Sequence, residues 1–573
     1  MMPFASVFVA LGVPQVWARR SAYTVIDTDF DDGRFFLYLL DAWRRDPGRS
    51  RALHVVGLLP RLPDAQVLRE RLLKACPAEM IPCVHQLADA WPLNLLGKHR
   101  LEFEGLRVTL TLAVGDASTQ LSRLSVRADA VVLSSALRSA AHGDVEAMFA
   151  AGKGLLVPNG KLVMPWLKVD EQATSLWAQG AVHDGVWSYM DRATSTTTAA
   201  CHERPCNAVI VGGGFAGAGV AHAMALRGWS VTVLEASEGE QGPHRGHLGA
   251  ALTPMLTRDD DVRARLSRAG TLRAHHRWGH LTVEAFDPCG ALQLSRTSGR
   301  IVDLESVVSE LQLPEAWARF VDANRASAIA GLKLDRGGIY FPMAVRVQPE
   351  PLINQLLATT GITRQVARVH RLFRHGDVWE VLDAAGQVLA QSPIVVLAAA
   401  HATQDILSAS GLLSDDARLR AMHPLGGEVT YVPDRLMAGG PRCIVSGDGY
   451  VLPTVDAHCV TGSSYLHGAD RVVVSSEGVK SNLNRARGLL GMRLVEAESD
   501  TCALAGWAGW RAVLPGRLPA IGAVDEEESL WVVTGLASRG LTWSSLAGDL
   551  IAAALNGEPL PLETDIIDKI SQI

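Results

Sequence analysis

Residues 208–236 read AVIVGGGFAGAGVAHAMALRGWSVTVLEA, and the fold turns on this stretch. Its apolar, β-branched opening predicts a strand over Asn207–Val211, the Ala-rich run a helix over Ala216–Arg227, and Ser230–Leu234 a second strand. Gly212, Gly214 and Gly217 stand in GxGxxG spacing between the first strand and the helix. In a dinucleotide-binding βαβ unit Gly212 turns the chain tightly, Gly214 lets a pyrophosphate approach the backbone, and Gly217 lets helix and strand pack closely. The helix N-terminus offers the phosphates unpaired N–H groups and partial positive charge. Glu235 closes the second strand 18 residues after Gly217, placed to accept hydrogen bonds from a ribose diol. A glycine-rich helix start that binds nothing would leave that acid and the loop's position to coincidence. Ala208–Leu226 is about as long as a membrane span, but the glycine loop divides it into strand and helix.

Near the other end, Trp531–Ser545 reads WVVTGLASRGLTWSS, an apolar strand running through a GLxSRG turn into a helix. This pattern resembles the closing FAD-contact motif of the D-amino-acid oxidase and glycine oxidase superfamily. The resemblance implies FAD rather than a nicotinamide cofactor, held at Gly535, Ser538, Arg539, Gly540 and Leu541. It also implies that Arg539 lies beside the flavin, where positive charge stabilises the reduced form.

The bulk numbers frame these motifs. The chain has 573 residues, enough for two or three domains. Its 54 Lys and Arg against 60 Asp and Glu give a net charge of −6, which excludes a globally basic nucleic-acid coat. Eight cysteines show no CxxC pair, and the histidines show no ligand-spaced cluster, so no metal site is expected. The apolar start Met1–Val16 lacks a basic n-region, and its arginines, Arg19 and Arg20, come after the apolar run. These features point to a cytoplasmic protein with no membrane partner and no DNA partner.

The segment RATSTTTAACHERP at 192–205 lacks apolar periodicity and reads as a linker. Boundaries of 1–192, 193–206 (linker) and 207–573 follow. Before the seam, strand-like runs at Tyr23–Ile26, Leu53–Leu59, Val108–Val114, Ala130–Leu133 and Lys161–Trp166, with a helix at Arg34–Arg45, predict an α/β doubly wound parallel sheet.

Taken together the chain resembles the MnmC family, which joins a class I methyltransferase to an FAD-dependent oxidoreductase acting on the tRNA wobble uridine. The second part carries VIVGGGFAG at 209–217, GALQL at 290–294, GGIYFP at 337–342, DGYVLP at 448–453, GSSYLHG at 462–468, WRAVLPGRLPAIG at 510–522 and GLASRGL at 535–541. The resemblance implies a Rossmann-type FAD domain with an inserted α+β substrate domain. It also implies oxidative removal of the carboxymethyl group from 5-carboxymethylaminomethyl-(2-thio)uridine in the tRNA anticodon region. Arg511 falls where glycine oxidase-like enzymes hold the substrate carboxylate, a task suited to a planar guanidinium. Tyr450 is a second candidate contact.

The first part matches in layout at 24–43, 91–101, 106–117 and 156–163, but departs at its cofactor motifs. The family's acid-any-Gly-any-Gly-any-Gly loop is here Asp27-Thr28-Asp29-Phe30-Asp31-Asp32-Gly33. Leu58 and Leu59 stand where an acid is expected, and Ser134–Ser139 replace a catalytic loop; Asp116 alone keeps an adenine-side position. These losses argue against S-adenosyl-L-methionine and for a docking or stabilising role. Three alternatives stay open: a fully bifunctional enzyme, a free glycine or D-amino-acid oxidase, and a non-catalytic tRNA-binding flavoprotein. Arginines in three groups (258–277, 364–374 and 485–493) are read either as phosphate contacts or as solvated faces.

Overall fold

The computed structural model describes residues 4–133, 142–165, 180–183, 186–190, 207–237, 242, 244–296, 303–491 and 504–573. They form two compact units: Met1–Arg204 with Ala553–Asp565, and Pro205–Ala552 with Ile566–Ile573. The expected linker, 193–206, lies outside the described residues.

In the first unit an eight-stranded sheet runs in the order Gly97–Phe103, Val108–Val114, Ala52–Leu59, Ala22–Asp27, Ala128–Val132, Leu156–Met164, Val186–Met190, Ala181–His183. The five strands from Val108–Val114 to Leu156–Met164 are parallel. Both margins are antiparallel. Val108–Val114 is buried along its whole length, as a strand covered on both faces must be. The helix Arg34–Arg45 buries Phe35, Phe36, Leu39, Leu40 and Trp43 and ends on Arg44 and Arg45, cations that suit a helix C-terminus. Strand order reverses beside Ala22–Asp27, which puts the crevice of this sheet at the Asp27–Gly33 loop.

The edge strand Gly97–Phe103 buries Lys98 and Arg100. Lys98 Nζ donates to Leu562 O at 2.7 Å, and Arg100 donates to Pro559 O at 2.8 Å and pairs with Glu558. This anchoring draws Ala553–Asp565 into the first unit, whereas the sequence reading assigns everything after 207 to the oxidoreductase. Burial pushes the Lys98 ammonium down to about 8, against the carboxylates of Glu563 and Asp565.

The second unit contains the predicted βαβ motif. A six-stranded sheet has the order Ile362–Val366, Ser230–Glu235, Asn207–Val211, Val395–Leu397, Leu530–Thr534, Ala520–Ala523, parallel except for its last pair. A separate eight-stranded sheet runs from Arg319–Val321 to Gly506–Val513 and is antiparallel apart from the Ala291–Leu294 and Ile444–Gly447 pair. The helix Phe215–Ala225 crosses Gly540–Asn556 so closely that a Cβ at Gly219 would lie 2.6 Å from Ser544 O. Among the described residues, no helix is long and apolar enough to cross a membrane.

The arginine-rich helix Val262–Trp278 corrects one expectation. Arg268, Arg273 and Arg277 are buried rather than presented to RNA. Arg268 forks onto Asp260, with both contacts at 2.8 Å. Arg227, Arg273 and Arg277 converge on Asp549, which is 0% exposed. Burial alone would raise that carboxyl, but the guanidiniums, Arg273 foremost, hold it well below the usual carboxylate range. Arg258 and Arg263 pair with Glu310 and Asp261. The arginines of that helix thus serve ion pairs within the protein. In the other groups Arg364, Arg368 and Arg371 are exposed, and Arg493 lies outside the described residues.

Candidate active site

The site grows from the carboxyl ends of the parallel strands. Gly212 follows Asn207–Val211 with φ of 104°, and its N–H donates to Leu234 O at 2.8 Å. A Cβ there would sit 2.6 Å from Ala398 O, and one at Gly217 would overlap the Gly212 carbonyl. At Gly214 the added carbon would meet nothing within 4 Å, and the helix behind it has no side-chain cap. Its first-turn N–H groups are thus directed at open space. Glu235 leans over this loop: Oε2 accepts from the Gly213 N–H at 2.6 Å, and Oε1 from the Ser237 N–H at 3.2 Å.

Opposite, Leu530–Thr534 delivers the second glycine turn. Gly535 has φ of 67° and Ala537 φ of 49°, after which the helix Gly540–Asn556 begins. Arg539 donates from Nη1 to Thr253 O at 2.6 Å, and burial lowers its guanidinium below the ordinary value.

A cavity of about 780 Å³ joins the two turns. Gly214, Tyr450, Arg511, Gly535, Ser538, Arg539, Gly540 and Leu541 line it together, although they span more than half the chain. Gly212, Gly217 and Glu235 shape the loop from behind.

Arg511 reaches the cavity from Gly506–Val513, in register with Leu425 of the neighbouring strand. Nη2 donates to Ser463 Oγ at 3.1 Å and Nη1 to Gly426 O at 3.4 Å, while the guanidinium lies 5.2 Å from the Tyr465 ring centroid. It has no acidic partner among the described residues. Tyr450 stands nearby, its hydroxyl pushed up to about 12 by burial while the Arg511 charge pulls the other way. It is therefore a proton-bearing donor at neutral pH.

The sequence reading does not anticipate one part of the wall. His247 stacks on Trp507 with centroids 4.1 Å apart and planes 3° apart, and His244 lies 4.2 Å from Phe215. Burial holds His244 at about 4 and His247 well below its ordinary value, so both rings are neutral near pH 7. His247 Nε2 is buried without a hydrogen-bond partner among the described residues. With the open cradle at Gly214, this unpaired polar atom fits a site built for a large polar cofactor.

The family model "FAD dependent oxidoreductase" matches residues 207–554, and "S-adenosyl-L-methionine-dependent methyltransferase" matches 78–135. The chain is 31% identical to the tRNA 5-methylaminomethyl-2-thiouridine biosynthesis bifunctional protein MnmC of Cupriavidus metallidurans, over 98% of this chain and 89% of that one. It is 33% identical to the protein of the same name from Burkholderia cenocepacia, over 98% and 90%. The chain belongs to the MnmC family. It shares its oxidoreductase fold with glycine oxidase from Bacillus cereus, at a TM-score of 0.51 and 19% identity, over 61% of this chain and 95% of that one.

The MnmC family match runs through both units, yet the first unit's loop is built differently from the second's. The methyltransferase match begins downstream of Asp27–Gly33. Phe30, 2% exposed, turns inward at the strand ends and stacks on Trp91, with centroids 6.3 Å apart and planes 21° apart. A Cβ at Gly57 would run into its ring. Asp27 is buried at the start of the same loop, its carboxyl pushed up to about 7 by burial, with the Asp29 N–H opposing and the Asp29 and Asp31 charges adding. Leu58 and Leu59 are buried at the neighbouring strand end. Asp116 caps the helix Ala117–Ser122, accepting from the Thr119 N–H at 2.9 Å and Ser118 Oγ at 2.6 Å. Ser134–Ser139 lie outside the described residues.

Proposed function

We propose that this FAD-dependent enzyme removes the carboxymethyl group from 5-carboxymethylaminomethyl-(2-thio)uridine in the anticodon region of tRNA, leaving the aminomethyl form. The observation that carries the reading is Arg511: a guanidinium in the cavity wall with no acidic partner among the described residues. The substrate group is an N-alkylated glycine, and its carboxylate supplies the missing counter-charge in bidentate geometry. Gly212, Gly214 and Gly217 hold the pyrophosphate, Glu235 the ribose, and Gly535, Ser538, Arg539, Gly540 and Leu541 the flavin end. When bound, FAD would supply the two-electron oxidation that takes a hydride from the glycine α-carbon, with the N–H proton lost to solvent; hydrolysis of the imine so formed gives glyoxylate and the aminomethyl base. Arg511 fixes the carboxylate, Tyr450 donates a hydrogen bond to it, and the neutral His247–Trp507 stack forms part of the cavity wall.

The first unit is proposed to have lost methyl transfer, because Phe30 fills the place where cofactor backbone contacts would form. A tRNA substrate is in keeping with a cytoplasmic protein. Nucleoside mass spectrometry on tRNA carrying the carboxymethylaminomethyl base, incubated with protein and S-adenosylmethionine, tests both statements. Accumulation of the aminomethyl nucleoside is expected; the methylaminomethyl nucleoside would overturn the second statement, and unchanged tRNA the first. Arg511→Ala is expected to lower kcat/KM by about 100-fold, the worth of a charge-assisted bidentate contact, with partial recovery in Arg511→Lys. Full turnover in Arg511→Ala would remove the carboxylate assignment.

A further inference from the structure

A second cavity, of about 350 Å³, opens beside the first and shares Arg296, Gly447, Asp448 and Arg485 with it. One wall is the helix Ser476–Leu490, on which Ser481, Asn484, Arg485 and Gly488 follow i, i+3, i+4, i+7 spacing. The opposite helix face, with Val479, Leu483, Ala486 and Leu490, is buried. Arg336 forms another wall. It donates through Nη2 to Gly488 O, but its Nε is buried without a hydrogen-bond acceptor among the described residues, the Asp335 carboxylate standing 3.7 Å away.

Arg296 faces Asp448 at 3.4 Å, with side chains 52% and 58% exposed. A water-exposed pair of this kind holds weakly and exchanges readily for a ligand anion. Arg485 donates to the Ser463 carbonyl, and the hydroxyl of that same serine accepts from Arg511. The side cavity and the carboxylate arginine therefore meet across a single residue. Three arginines against one aspartate line a hollow large enough for part of a nucleotide.

We propose that this side cavity binds a phosphate of the nucleotide whose base enters the main cavity. The inference rests on the functional reading above. Gly447 and Asp448 line both cavities, so the backbone of a base that presents its substituent to Arg511 has a way out past them, where Arg296, Arg336 and Arg485 meet it with charge and Ser481 and Asn484 with neutral donors.

The test uses the FAD-loaded full chain and compares 5-carboxymethylaminomethyluridine with its 3′- and 5′-monophosphates. One monophosphate is expected to show a KM about tenfold below that of the nucleoside at similar kcat, the worth of a charge-assisted phosphate contact. Inorganic phosphate is expected to raise the KM of that monophosphate and not that of the nucleoside. Arg336→Ala should erase most of the difference and Arg336→Lys restore part of it, with flavin absorbance and Tm reporting the fold. Equal KM values for all three compounds would overturn the phosphate site and leave the oxidase reading standing. A monophosphate advantage that survives Arg336→Ala in a flavin-loaded protein would also overturn it. No oxidation of nucleoside, nucleotide or tRNA would overturn the oxidase reading and the phosphate site with it.

Discussion

Two loops in this molecule occupy equivalent places, each following a central parallel strand and opening a helix, and they have diverged. At Gly212–Gly217 the backbone is bare and Gly214 faces open space. At Asp27–Gly33 the ring of Phe30 packs over Gly57 and Gly33, and the carboxyl of Asp27 is buried. The same scaffold thus supports a cofactor cradle in one unit and a sealed, hydrophobic strand end in the other. A loop at a strand end can carry a bulky side chain in place of glycine as long as that side chain packs, and Phe30, stacked on Trp91, does so.

The largest effect is expected under the intact loop. Its helix Phe215–Ala225 packs on Gly540–Asn556, which carries Asp549 and its three buried guanidiniums. Asp549→Asn keeps the shape and removes the charge, so about 3–5 kcal/mol of stability should be lost, read as a lower urea midpoint at unchanged m. A loss below about 1 kcal/mol would mean that the arginines find other partners as good, and would weaken the contrast between an ionically braced loop and a hydrophobically sealed one.

Next comes the loop itself. Gly217→Val places carbon into the Gly212 carbonyl, and overpacking strain of about 3 kcal/mol should weaken FAD binding about 100-fold. Titration of flavin-stripped protein, followed by flavin fluorescence, gives the number. Retention of flavin at wild-type affinity would show that the two loops differ less in their tolerance of side chains than their geometry implies.

How far these contrasts are legible in the sequence depends on how local each cause is. The GxGxxG loop is readable because strand, turn, helix and Glu235 lie within one short segment, and each glycine answers to a neighbour. The loss of glycine at Asp29 and Asp31 is readable for the same reason. That Phe30 seals the gap is not, since Trp91 and Gly57 come from other elements. The arginines of Val262–Trp278 look like a basic face because Asp549, which neutralises three buried arginines, stands more than 270 residues from Arg273 and Arg277. The His247–Trp507 stack and the anchoring of Lys98 on Leu562 are equally non-local. Arg511 and Tyr450 are legible through family motifs, whereas their shared cavity is a product of sheet register.

A smaller effect is expected at Asp27. Its folded carboxyl titrates at about 7 rather than near the usual 3.8, so the folded state holds this proton more tightly than the unfolded chain. The resulting stability is fully present below about pH 4 and is lost as pH rises through 7. Asp27→Asn keeps an acceptor for the Asp29 N–H without the charge. It should be more stable than the parent at pH 8 by about 1–3 kcal/mol, with the gap closing toward pH 5. Urea midpoints at the two pH values decide it. Equal midpoints throughout would mean that Asp27 stays ionised in a loop more open than its sealed geometry.

The smallest expected effect is none, and it bears most directly on the comparison. A methyltransferase that bound S-adenosylmethionine with a Kd near 10 μM would gain about 2.7 kcal/mol from 1 mM ligand, a Tm rise of several degrees. The plugged loop predicts a shift below about 0.5 °C for the first unit's transition, because two costs add: ejecting the buried Phe30 from the Trp91 stack takes about 2–3 kcal/mol of the binding energy, and the Asp29 and Asp31 carboxylates then repel the ligand's own carboxylate. Phe30→Gly removes that obstacle but leaves Asp29 and Asp31 facing the ligand's own carboxylate. Ligand-induced stabilisation should therefore appear in a Phe30→Gly, Asp29→Gly, Asp31→Gly chain before it appears in Phe30→Gly alone. Stabilisation of the unaltered protein would show instead that the two loops differ in sequence and not in capacity.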